Sequence, residues 1–136
     1  MARTPFQVEV LTPEGPIFSG EVEMVSTRTE VGSIGILANH TPLLGMLAPA
    51  ELKLYISESE IVSFAQGEGY IQVADNHALV LVEEAIKPDE LVREDLQAQI
   101  DAAEAAIAES EPHTEAQKKA LRDQRRAKIF FGILEA

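Results

Sequence analysis

An antiparallel β sandwich or barrel followed by a hairpin of two α-helices is the architecture predicted by this sequence, and three observations predict it. Residues 6–82 alternate in short apolar runs separated by turn residues. Residues beyond 85 change to Ala, Glu, Gln, Lys and Arg, a helix-forming composition nearly free of β-branched side chains. Pro112 then interrupts the helical texture once, which divides it into two helices.

In the first part, Phe6, Val8 and Val10 alternate with polar neighbours. Further strands are expected at Val22–Val25, Leu52–Ile56, Ile61–Phe64, Tyr70–Val73 and Ala78–Val82. Turn signals stand between them at Pro13-Glu14-Gly15, Ser57–Glu60 and Ala74-Asp75-Asn76-His77. The stretch GSIGILANHT, from Gly32 to Thr41, reads neither as a clean strand nor as a clean helix.

In the second part, Leu96, Ile100, Ala103 and Ile107 recur at helical spacing, on a helix expected to start near Pro88-Asp89. Thr114 followed by Gln117 forms a capping-box pattern for a second helix, on which Ala116, Ala120, Ala127 and Phe131 share a face. Both apolar faces are narrow and rich in alanine, which suits close antiparallel packing. The domain boundary falls at 85/86, with the β domain over 1–85 and the helical hairpin over 86–136.

Composition excludes several function classes. At 136 residues the chain fits one domain or a domain with an appendage. Without cysteine it offers no disulfide, thiolate metal site or cysteine nucleophile. The opening MARTPFQVEVLTP has the features of neither a secretory nor a transit segment, and no apolar run approaches the ~20 residues that span a bilayer. A soluble cytoplasmic chain, able to sit beside a membrane within a complex, is expected. The net charge of -12 speaks against nucleic acid as a partner.

No catalytic or metal constellation assembles. His40, His77 and His113 are isolated from one another and from ligand-spaced acids. His77 and His113 suit a turn and a loop, whereas His40 suits a contact surface. The Gly32–Gly35 pair lacks the lysine and hydroxyl residue of a phosphate loop, and no serine occupies a nucleophile elbow. The remaining feature is a basic run on the second helix, where Lys118, Arg122 and Arg125 recur at spacings of four and three beside Lys119 and Arg126. Nine acids lie between Asp89 and Glu115, so the run either pairs with the first helix or docks on an acidic partner.

The order VEVLTPEGPIFSGEVEMVS, GSIGILANHTPLLGML, GEGYIQV and ALVLVEEA, followed by an alanine-rich charged hairpin, resembles the epsilon subunit of bacterial ATP synthases, whose mitochondrial counterpart is called delta. The resemblance covers essentially the whole chain. It implies a ten-stranded antiparallel β sandwich bound to the gamma subunit and the c-subunit ring, in the central stalk of a proton- or sodium-driven rotor. It also implies a noncatalytic role at the cytoplasmic face of the inner membrane, with a hairpin that reaches the catalytic beta and alpha subunits to restrain ATP hydrolysis. Gly32, Ser33, Ile34, Gly35, His40, Pro42 and Leu43 are then rotor-interface residues, and Lys118, Arg122, Arg125 and Arg126 are candidate inhibitory contacts. ATP-binding relatives carry an acid and an arginine at positions that here are Val92 and Asp95. An aspartate repels phosphate, so no ATP binding is expected, nor any other cofactor or metal. The competing class, a small β-sandwich metalloenzyme or ligand-binding protein, would call for clustered histidines.

Overall fold

A computed structural model describes residues 3–136. The chain divides into two compact units between Lys87 and Pro88. The first unit holds ten strands: β1 (Phe6–Thr12), β2 (Gly15–Val22), β3 (Met24–Thr29), β4 (Gly32–Ile36), β5 (Leu43–Leu47), β6 (Ala50–Tyr55), β7 (Ile61–Gln66), β8 (Gly69–Ala74), β9 (His77–Val82) and β10 (Ala85–Ile86). Their order is β10-β7-β6-β3-β5-β8-β9-β1-β2, with β4 paired to β3.

Strand β3 makes the corner of the sandwich. Its first half pairs with β6, as Val25 opposite Leu54, while Thr29 at its end pairs with Leu47 of β5. One strand thereby joins the two layers of a single ten-stranded sheet, and their inner faces enclose a single core of Val8, Val10, Val25, Leu52, Leu54, Ile71, Val73 and Val80 with their neighbours. The ladders are antiparallel except between β1 and β9, which run parallel with Val8 opposite Ala78. A break in register at Val10/Leu11 bends β1 toward its turn.

Local chemistry accounts for the tightest points. Asp75 and Asn76, at φ 50° and 59°, form the two-residue turn between β8 and β9, and positive φ at both central positions is the hairpin geometry that Asn and Asp tolerate. At Gly69 the backbone of β9 lies so close that an added Cβ would stand 1.9 Å from the Leu81 carbonyl oxygen. Inside the core the one long polar side chain is satisfied. Gln66 is fully buried, accepts from the Thr27 hydroxyl at 2.7 Å and donates to the Ala48 carbonyl at 2.8 Å, which ties β3 and β7 to the segment after β5.

The second unit begins with a 3₁₀ turn at Pro88–Glu90, followed by α1 (Arg93–Glu109) and α2 (Glu115–Glu135). The first helix thus starts at Arg93 rather than near Pro88-Asp89. Val92, extended at φ -114° and ψ 119°, occupies the cap position with a β-branched side chain that offers no hydrogen bond. The start of α2 is capped as its pattern predicts: the Gln117 amide donates to the Thr114 hydroxyl at 3.2 Å. The Gln117 side chain reaches one residue further back than in a standard box, accepting from the His113 amide at 3.0 Å.

The helices run antiparallel, with Arg93 at the start of α1 paired to Glu135 at the end of α2 and Lys128 3.8 Å from Glu104. Leu96, Ile100 and Ala103 are buried on α1, and Ala120, Ala127 and Phe130 on α2. The expected face on α2 is thereby corrected in two places. Ala116 is exposed, and Phe130 rather than Phe131 is the fully buried ring. Steps of about 100° per residue put these two rings on opposite flanks of the Ala120–Ala127 stripe, and Phe131 stays half-buried beneath the Arg93 guanidinium, 5.3 Å from the ring centroid.

Candidate functional site

The stretch that resisted assignment resolves into a strand, a loop and a strand. Gly32–Ile36 is β4, folded back on β3 with Thr27 opposite Ile34 and Thr29 opposite Gly32. The Thr29 hydroxyl closes this hairpin, donating to the Gly32 carbonyl at 3.0 Å and accepting from the Val31 amide at 3.3 Å. Gly32 sits at φ +138°, which side chains rarely adopt. Val31, at the tip, is 98% exposed.

Between β4 and β5 the chain forms a compact loop. The His40 amide donates to the Leu37 carbonyl at 3.3 Å, and the Asn39 amide donates to Asn76 Oδ1 at 2.7 Å. His40 Nδ1 lies 2.7 Å from the Thr41 carbonyl oxygen, so it carries the proton and donates, and its ring is oriented by its own neighbour.

The residues expected at a rotor interface therefore divide. Ser33, Gly35 and Pro42 are exposed, whereas Gly32 and His40 are half-buried. Ile34 and Leu43 turn toward the core and pack against it. Their places on the surface are taken by side chains that sequence reasoning did not single out. Leu44 and Met46 project outward from β5, with exposures of 73% and 59%. Met46 stands opposite Tyr70 of β8, and Tyr70 opposite Leu81 of β9. Tyr70 is 53% and Leu81 42% exposed, so three adjacent strands carry one continuous outward apolar strip. The signal was present in LLGML: apolar residues at both parities leave one set outside whichever set is buried.

On the hairpin, Lys118, Arg122 and Arg125 are exposed, but Arg126 is half-buried and donates to Asp123 at 2.7 Å. Asp123 also accepts from Lys119 at 2.8 Å. Partial burial pushes the Asp123 carboxyl up, yet the hydrogen bonds from Lys119 and Arg126, with their charges, outweigh it and hold the group below the ordinary carboxylate range. Glu135 is lowered by the hydrogen bond from Arg93. A depressed carboxylate contributes stability that is present above its unfolded value, about 3.9 for aspartate, and is lost as pH falls through the folded value. Helical signal at 222 nm is accordingly expected to melt at a constant temperature from pH 7 to about 5 and at progressively lower temperatures below that. Asp123→Asn should flatten part of that acid limb; an unchanged limb would remove Asp123 from its cause.

Val92 is exposed at the α1 cap, and Asp95 is exposed in the first turn of that helix. Between the helices lies an open groove of about 370 Å³, lined by alanines with Lys119, Asp123 and Arg126 among its polar residues, and these three are the residues paired above. His77 begins β9, 3.6 Å from the Glu9 carboxylate, and His113 lies in the interhelix loop. Among the described residues no three metal-binding side chains converge, and no helix is long and apolar enough to cross a membrane.

Comparison with known proteins agrees with this architecture. Residues 5–88 match the family described as ATP synthase, Delta/Epsilon chain, beta-sandwich domain. An ATP synthase epsilon chain of Persephonella marina is 40% identical over 106 residues, 78% of each chain. That of Dichelobacter nodosus is 37% identical over 91 residues, 67% of this chain and 64% of the relative. Among solved structures, a chain of the Euglena gracilis mitochondrial ATP synthase assembly of OSCP, F1 and c-ring superposes with a TM-score of 0.81 at 19% identity, over 96% of this chain and 81% of the other. A chain of the Tetrahymena thermophila mitochondrial ATP synthase central stalk and c-ring gives 0.65 at 17% identity, over 97% and 98%. With a sandwich of the family's kind, a match across all ten strands and relatives this similar, the chain belongs to the ATP synthase delta/epsilon family of noncatalytic subunits.

Proposed function

We propose that this chain is a central-stalk subunit whose sandwich couples gamma to the c-ring and whose hairpin restrains ATP hydrolysis. The observation that carries the first half is the outward strip of Leu44, Met46, Tyr70 and Leu81. Apolar side chains grouped on one face of a sheet, in a chain otherwise rich in charge, mark a surface that another protein covers. The tip at Val31 and the loop with His40 and Pro42 extend the contact toward a second partner. In this reading the strip serves gamma, and the Val31 tip with the His40–Pro42 loop serves the ring. The family membership and the stalk and c-ring assemblies named for the solved structures support the choice of partners. The subunit would then sit peripherally at the cytoplasmic face of the inner membrane, held there by the ring rather than by a span of its own. Neither ATP nor a metal is required for any of these roles.

The second half rests on Lys118, Arg122 and Arg125, exposed along one helix of an acidic protein. An acidic segment of the catalytic beta or alpha subunits is the partner that such a stripe fits.

The experiment addresses the strip. Leu44→Asp with Tyr70→Asp places two charges on exposed positions, so the melting temperature should hold within a few degrees. Affinity for purified gamma should fall about 30-fold or more, the scale of losing one interface hot spot. Gamma affinity unchanged in a folded double variant would overturn the assignment of this face.

A further inference from the structure

We infer that Asn76 is a positioning residue for the Leu37–Pro42 loop: its side chain, outside the loop in sequence, sets the shape in which the loop meets the rotor. The inference rests on the rotor reading above. Three observations combine in it. Asn76 occupies the second central position of the β8–β9 turn at φ 59°, where glycine would satisfy the backbone without strain. Its Oδ1 accepts from the amide of Asn39 at 2.7 Å, a bond to a residue far away in sequence. Asn39 is itself at φ 62°, so this amide is directed by a backbone conformation that few residue types adopt readily.

The turn therefore does two things at once. Its backbone reverses the chain, and its side chain extends across to the neighbouring loop. Glycine would perform the first as well as asparagine and the second not at all. The loop held in this way carries His40, whose ring is fixed by Thr41, and Leu37, which is 45% exposed. A loop ordered before docking avoids an entropy cost on binding, so losing the tether should appear as weaker binding rather than as a weaker fold.

This separation makes the test. Asn76→Gly keeps the turn and deletes the acceptor, and Asn76→Asp keeps an acceptor oxygen at the same place. With Asn76→Gly the melting temperature should be unchanged or slightly raised. Hydrogen exchange at the Asn39 amide should accelerate about fivefold, and affinity for a gamma–c-ring subcomplex should fall about fivefold, the equivalent of one net hydrogen bond. Asn76→Asp should restore both. Asn39→Gly, which keeps the amide and accepts positive φ, should behave as the parent chain does. Equal rotor affinity for the parent and Asn76→Gly would overturn the inference and leave the rotor reading standing. Weakened binding that Asn76→Asp does not restore would also overturn it. A parent chain that fails to bind the subcomplex would sink the rotor reading and the inference with it.

Discussion

Gly69→Ala is expected to be among the most destabilising single substitutions in the sandwich. Gly69 opens β8 and pairs with both Leu47 and Val82, so the clash falls where two ladders meet. The new methyl would stand 1.9 Å from the Leu81 carbonyl oxygen and 2.7 Å from the Val82 Cα. Those atoms are backbone, and no rotamer change moves them aside. The β8–β9 ladder must separate or the strand must shift, which costs about 3 kcal/mol or more and lowers the melting temperature by roughly 12 to 24 °C. Gly35→Ala provides the contrast. No atom lies within 4 Å of the Cβ position at Gly35, and its stability should change by no more than about 0.5 kcal/mol. Thermal melts that place the two variants together would mean that β9 yields easily at this point.

The second large effect is on activity. A chain ending at Lys87 is expected to unfold cooperatively and, on the proposed role of the strip, to keep the gamma affinity of the full chain, because the strands and their core lie before that residue. The end point matters, since Ala85 and Ile86 cover the edge of β7 opposite Gln66 and Ala65. If the hairpin restrains hydrolysis as proposed, a reconstituted ATP synthase carrying the shortened chain should hydrolyse ATP faster than one carrying the full chain. Replacing Lys118, Arg122 and Arg125 with alanine should recover roughly three- to tenfold of that acceleration, as several individually weak charge contacts acting together would. Arg126 is best left in place, because its bond to Asp123 belongs to the hairpin itself. Restraint by the full chain should also weaken as salt is raised. If the triple variant restrains hydrolysis as well as the parent while the shortened chain does not, apolar packing carries the restraint and the basic stripe is a solvated face.

What could be read from the sequence was local. The alternation of Phe6, Val8 and Val10, the Asp75-Asn76 turn and the Thr114–Gln117 cap each express energetics confined to a few neighbouring residues, and each stands in the structure where it was expected. The family signature in GSIGILANHTPLL was equally legible, although the secondary structure of the same residues was not. Gly32 and Gly35 dilute its strand character, and the loop at Asn39 is held by a side chain 37 positions away.

The tertiary structure decided everything that depended on which of two faces meets a partner. In β5, Leu43 and Leu47 point in while Leu44 and Met46 point out, and the pentapeptide is apolar at both parities, so only the corner at β3 and the ladder to β8 choose between them. On α2, Phe130 and Phe131 lie on either side of one stripe, and the second of them stays half-buried beneath Arg93 of the other helix. The parallel pairing of β1 with β9 joins residues 70 positions apart, such as Val8 and Ala78. By itself the sequence determined the periods, the turns, the caps and the family. Burial of one face over another is a property of contacts between distant segments, whose loop-closure entropy and packing appear in no local pattern, and it alone assembled the strip of Leu44, Met46, Tyr70 and Leu81.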